Sequence, residues 1–390
     1  MNVILERAAR SDLSADRPAC CGQARLLRAG RLALSSLQND GGGREKLKIL
    51  PKKHFWAQND RVLTKLFFFL YSESKRMVCC ADRGEKMEEV RSIAEYIESL
   101  KAFQRCGLNG HRQNVRYYYR GESMDYGATS GQAMIGRGHW LEDNNESKLF
   151  RECERRLTAE FLPCKSTFEK LVMMQHYGIP TRILDVSLDP LAALFFALYL
   201  DPRGKKDDSG DSVVLVYEVP EDSIKNYHSD AVSVVSNLAV YSHDDFEMAE
   251  IFGNSGKDRE AFNKNESVKY LLHEIKAEKL HFLDWINPED LESVFCVHPL
   301  LTNSRIRAQQ GAFLLFGIDG NKHKLATLES SRQKEKIGMR KIRIPCQAKE
   351  KVREELQLLA RTVDVIYPDW DGVSDYFARF YGKSSREFYK

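Results

Sequence analysis

Six residues able to bind or move charge sit together in the stretch QHYGIPTRILDVS: His176, Tyr177, Thr181, Arg182, Asp185 and Ser187. An imidazole and a carboxylate can pass protons, and a guanidinium offers a planar fork to phosphate or carboxylate. The runs on either side, LVMM and LDPLAALFFAL, are strongly apolar. Polar groups enclosed in this way need partners, so they either line a wet pocket or form a structural Asp–Arg/His network. The residues alone leave both readings open.

A second cluster is VRYYYRGES, where Arg120 ends a β-rich run and is followed by Gly121 and Glu122. An arginine there can reach from a sheet edge into a cleft, and glycine lets a ligand or another backbone approach closely. The structural alternative is an ion pair of Arg120 with Glu122 or Asp185. A third cluster, NSRIRAQQGAFLLFG, sets Arg305, Arg307, Gln309 and Gln310 before Gly311 and an apolar strand. It suits a pocket rim or an ordinary turn.

Metal chemistry finds little support. Asp369 and Asp371 resemble the start of a calcium loop, but Phe380 stands where that loop needs a glutamate. Asp371 reads better as a turn or helix-capping residue. The nine cysteines are scattered, and none has the C-x-x-C spacing of a zinc site. We therefore expect no metal. Walker A, G-x-G-x-x-G, H-E-x-x-H and G-x-S-x-G patterns are also missing, which argues against kinase-like NTPase, Rossmann, zincin and α/β-hydrolase chemistry.

Residues 1–86 hold 17 Lys and Arg against 9 Asp and Glu, a charge of +8, leaving −5 on the remainder of a chain whose total is +3. The mildly acidic body gives no indication of nucleic-acid binding. No apolar run approaches the ~20 residues of a membrane span. We expect no membrane partner and a cytoplasmic protein.

These groups need elements to hold them. The spacing of Val90, Ile93, Ile97, Leu100 and Phe103 predicts a helix. VRYYYRGES, SVVLVYEV, SVFCVHP, GAFLLFGI, MRKIRIP and VDVIYP read as strands, with a polar stretch over 122–146. Further helices are expected over 147–161, from Thr167 to Gln175, from Pro190 behind an Asp189 cap, over 347–360, and from Val373. A loop is expected at 253–267. Helices and strands intermix without steady βαβ alternation, which predicts an α+β fold: one domain over 87–384, with a mixed or antiparallel sheet and flanking helices. Residues 1–86 read as a basic, partly disordered extension, or as an overhang before a start at Met77 or Met87.

YYRGE, QHYGIPTRILDVSLDPLAALFFAL, RIRAQQGAFLLFG and IYPDWDG together resemble the FRG domain, a family named for its aromatic-Arg-Gly motif, here Tyr119-Arg120-Gly121. Val186 and Trp370 depart from the family's usual Trp and Leu. The resemblance implies a bacterial or phage setting connected with defence. At the level of fold, the order of elements resembles ADP-ribosyltransferases. That comparison implies an NAD- or nucleotide-handling site in which Arg120, Gly121, His176, Tyr177, Thr181, Arg182 and Ser187 bind the nucleotide. Asp185, Gln310 and Glu122 would serve the transfer to a macromolecular acceptor. Gln310 falls where those enzymes carry glutamate, and an amide cannot act as a base. A non-catalytic module that senses a nucleotide or phosphate is the competing expectation.

Overall fold

The computed structural model describes residues 87–106, 114–199, 208–243, 246–252 and 258–369. The basic segment 1–86 and the helix expected from Val373 lie outside these residues.

In chain order, β1 (Glu88–Glu89) precedes α1 (Ile93–Cys106) and β2 (Val115–Glu122). Three short 3-10 turns lead to α2 (Asn145–Arg156), α3 (Thr158–Phe161) and α4 (Thr167–His176). Next come β3 (Ile183–Ser187), α5 (Pro190–Leu198), β4 (Ser212–Pro220) and β5 (Ile224–Asn226). A helical stretch follows: α6 (Asp230–Asn237), α7 (Met248–Phe252), α8 (Arg259–Lys264), α9 (Glu266–Glu278) and α10 (Pro288–Leu291). The chain then runs through β6 (Val294–His298), α11 (Ser304–Ala308), β7 (Gly311–Phe316), β8 (Ile318–Asp319), β9 (Asn321–Leu325) and β10 (Gly338–Ile344). The last described helices are α12 (Lys349–Leu358) and α13 (Val363–Ile366).

Eight strands form one mixed sheet in the order β1-β10-β4-β2-β3-β7-β6-β5, with β8 and β9 forming a separate hairpin. The α+β expectation therefore holds. Most neighbours are antiparallel, while β1–β10 and β5–β6 run parallel. Tyr119, Val214, Val216 and Ile342 pack on one face beneath α1 and α5. Farther along that face, Ile183, Phe313 and Leu315 meet α4, α6 and α9. On the opposite face, Tyr118, Leu184, Val186, Leu215 and Tyr217 form a third core cluster.

Local chemistry explains the elements nearest the centre. Asp189 Oδ1 accepts from the Leu191 amide at 2.9 Å and Pro190 occupies the first turn, so α5 starts as its sequence predicts. Ser166 caps α4 by accepting from the Glu169 amide. That helix stops at Gly178, whose φ of +74° is a left-handed value that costs glycine little.

Several expectations give way. The helix expected over 147–161 breaks at Leu157 into α2 and α3. The proposed loop over 253–267 contains α8, because Asp258 caps it through the Glu260 amide. VDVIYP forms α13 rather than a strand; Ile366 and Tyr367 are buried in the cluster under α5, away from any sheet edge. Strand propensity loses here to tertiary packing.

Candidate functional site

A cleft of about 900 Å³ lies where β2, β3, α4 and the segment around α11 meet. Its origin is a gap in the sheet. β2 and β3 share a single registered pair, Tyr119 with Ser187, and then diverge. Whereas β2 continues along β4 to Glu122, β3 follows β7. The cleft is lined by residues from both faces of the sheet, including Tyr119 and Asp185 on one and Arg120 and Glu122 on the other.

Arg120 spans this gap. Its Nη1 donates to the backbone carbonyl of Asp185 at 2.9 Å, and its Nε lies 3.4 Å from Glu122 Oε1. The Asp185 carboxylate is engaged elsewhere: its Oδ2 accepts from Gln175 Nε2 at 2.8 Å, and Gln175 Oε1 accepts from Thr181 Oγ1 at 2.8 Å. Asp185 is exposed and lines the cleft, so this relay fixes its direction without burying it.

Glu122 is only 3% exposed. Its Oε1 accepts from the Gly131 amide at 3.0 Å and lies 3.8 Å from Arg137 Nη2. Arg137 in turn stands over the ring of Tyr126, 5.4 Å from its centroid. On the opposite rim, Arg305 stacks over Tyr367 at 4.4 Å, and Gln309 Nε2 donates to the Ile366 carbonyl. Arg120, Arg137 and Arg305 thus face the same space as Glu122, Glu169, Asp185 and a set of aromatic rings.

Of the residues expected to form a site, Arg120, Gly121, Glu122, His176, Asp185 and Ser187 line this cleft. Gly121 allows a helix to approach rather than a ligand: a Cβ there would lie 1.9 Å from the Ala193 carbonyl of α5. Ser187 Oγ donates to the Gln309 carbonyl at 2.6 Å and accepts from the Asp189 amide, tying β3 to the α11 turn. His176 ends α4, its ring edge-on to Tyr177.

The structure brings four expected residues elsewhere. Tyr177 is 61% exposed, outside the cleft lining. Thr181 is buried and acts through Gln175. Arg182 is fully buried, pairs with Glu146 through both carboxylate oxygens and donates to the Phe316 carbonyl. Gln310 is exposed at a turn with φ of +45°; the cleft takes its neighbour Gln309 instead.

Sequence reasoning missed Arg137, Glu169, Tyr126 and Tyr367. Arg137 and Tyr126 lie in a polar stretch with no periodicity, and Tyr367 was assigned to a strand. Glu169 did carry a signal, since Ser166 and Glu169 have capping-box spacing. Cys164 also lines the cleft, but burial pushes its thiol up, with the Glu169 charge adding, so it is a poor nucleophile near neutrality.

Residues 115–206 match the family model of the FRG domain. The FRG match contains the gap-forming strands β2 and β3 together with α4 and α5, hence Arg120, Glu122, Asp185 and the Gln175 relay. Arg305, Gln309 and Tyr367 lie beyond the FRG-matching segment and complete the cleft from the C-terminal side. No curated protein and no solved structure matches the chain. Among the described residues, no cluster of His, Cys, Asp or Glu could hold a metal ion, and no helix is long and apolar enough to cross a membrane.

Proposed function

We propose that the cleft binds a nucleotide, with NAD as substrate, and that the protein is an ADP-ribosyltransferase-like enzyme acting on a macromolecular acceptor in a bacterial or phage defence setting. The observation that carries this reading is the convergence of three arginines, exposed Asp185, buried Glu122 and several aromatic rings on one cleft of about 900 Å³. That volume lies at the upper end of small-molecule sites, where a dinucleotide-sized ligand fits.

Arg120 and Arg137 supply forks for the diphosphate, and Arg305 on Tyr367 offers a flat cationic surface for a base or phosphate. In the reaction, the glycosidic bond breaks, nicotinamide leaves with the bonding electron pair, and the acceptor bonds to the same ribose carbon and loses a proton. Positive charge develops at that carbon. Asp185 faces the cleft as a carboxylate held by Gln175, and it stabilises such a charge without needing to reorganise.

Incubation with labelled NAD and a cell lysate tests this. Nicotinamide release and label transfer are expected with the wild type. Arg120→Ala should lower both by at least about tenfold, the scale of a lost charge-assisted hydrogen bond. Equal signals from the two proteins would sink the enzyme reading.

The position of Gln310 favours a second reading. With that side chain outside the cleft, the late ribose-holding role drawn from the transferases has no occupant there. A non-catalytic nucleotide sensor would then show thermal stabilisation by NAD without consuming it.

A further inference from the structure

Large apolar side chains stand exposed around the opening of the cleft. Tyr126, Met134 and Leu300 are lining residues, yet each is between 36% and 41% exposed. Leu301 lies between the lining residues Leu300 and Thr302 and is 56% exposed. Leu162 precedes the lining pair Pro163 and Cys164 and is 79% exposed. Tyr177, also exposed, follows the lining residue His176.

A single exposed leucine is ordinary. Here separate stretches of chain bring such side chains to one opening: the turns between β2 and α2, the ends of α3 and α4, and the segment from β6 to α11. A gathering of this kind marks an interaction surface, and tyrosine, methionine and leucine around a recess suit the dry centre of a protein interface.

Charge separates two kinds of macromolecular partner. Among the described residues that line the cleft, the only Lys or Arg side chains are Arg120, Arg137 and Arg305. Arg120 and Arg137 lie beside Glu122, and in the nucleotide reading all three arginines serve the diphosphate or a base. No lysine or arginine of the lining is then left for a phosphate backbone, which needs rows of them. Residues 87–390 carry a net −5, which also opposes a polyanion. An apolar polypeptide segment meets no such opposition.

We infer that the opening of the cleft is a docking surface for a protein acceptor whose modified residue is flanked by apolar side chains. This inference rests on the nucleotide reading of the cleft and deepens it, because it selects polypeptide over nucleic acid as the acceptor. A side-chain nucleophile of the acceptor bonds to the ribose carbon that nicotinamide leaves with the electron pair, and its proton passes to solvent.

Two rim positions outside the lining, Leu162 and Leu301, test this without touching the nucleotide. Label from NAD is followed into a cell lysate, then divided into protease-sensitive and nuclease-sensitive material. Nicotinamide release is measured separately without lysate, where water is the acceptor. The wild type should label protease-sensitive material. Leu162→Glu and Leu301→Glu should each lower that labelling at least about tenfold, the effect of a charge forced into a desolvated contact, with release within about twofold of wild type. Ile97→Glu, on the exposed side of α1, which contributes no lining residue, should match the wild type in both assays. Nuclease-sensitive label would overturn the inference in favour of a nucleic-acid acceptor. Protein labelling unchanged in both rim variants would overturn it, and so would a fall in release that matches the fall in labelling. Release by the wild type without any label would overturn the docking surface and leave the nucleotide reading intact. A wild type showing neither release nor label would remove both together.

Discussion

Arg120 is held by the backbone of Asp185, not by its carboxylate: Nη1 donates to the Asp185 carbonyl at 2.9 Å. Register explains this. Tyr119 pairs with Ser187, so Ser187 and Asp185 share the face of Tyr119, while Arg120 projects from the other face. The arginine can reach only the carbonyl exposed where β2 and β3 part. Asp185 is left free to face the cleft.

Substitution of Arg120 should separate charge from geometry. Arg120→Lys keeps the charge but loses the fork that reaches both Glu122 and the Asp185 carbonyl. Pyrophosphate affinity is expected to fall about tenfold, with the melting temperature within a few degrees of wild type. An unchanged affinity would mean that Arg120 serves only to pin the split sheet.

Gly121→Ala should fail on packing grounds. The added Cβ meets the Ala193 carbonyl at 1.9 Å and the Ala197 amide at 2.4 Å, both backbone atoms of a buried helix. Urea unfolding should show a loss of about 3 kcal/mol, the upper range for overpacking, or no folded protein. A loss below about 1 kcal/mol would show that α5 moves away easily.

The Arg182–Glu146 pair is buried on both sides, at 0% and 5% side-chain exposure. Glu146→Ala leaves a buried guanidinium unpaired and should cost about 3–5 kcal/mol in equilibrium unfolding. Replacing both residues together, Glu146→Leu with Arg182→Met, should recover much of that loss. A double variant as unstable as the single one would place the importance of Arg182 in its bond to the Phe316 carbonyl.

His298 gives stability a pH dependence. Burial is the first cause, and the Arg116 charge the second, that lowers its pKa below the ordinary 6.5. Its Nε2 also lies 2.6 Å from Tyr118 Oη. The folded protein therefore holds the ring neutral more strongly than the unfolded chain does. The stability this contributes is complete above about pH 6.5 and declines as pH falls through the lowered folded value. Thermal melts of wild type and His298→Gln from neutral to acidic pH should converge toward the acidic end. Parallel curves would show that His298 does not titrate differently on folding.

Much of the molecule is legible in its sequence because the causes are local. The Asp189–Pro190 cap, the Gly178 stop and the alternation in YYYRGES each act within one turn or two residues of chain. Those signals locate β2, α4, β3 and α5, and thereby Arg120, Glu122, His176 and Asp185. Where the cause is distant, sequence reading falters. Arg182 sits beside Asp185 in the chain, yet its partner Glu146 lies 36 residues away, and it is that partner which draws it out of the cleft.

By itself, the sequence determined an α+β chain with a glycine-gated strand, a capped apolar helix and a polar bend able to present charge. Tertiary structure decided which of those charges meet. A strand's alternation has period two and can be read from the chain, but its register against a neighbour depends on which partner it finds. One pairing, Tyr119 with Ser187, sets Arg120 and Asp185 on opposite faces, and the distant turn at Gly131 places its amide on the Glu122 carboxylate.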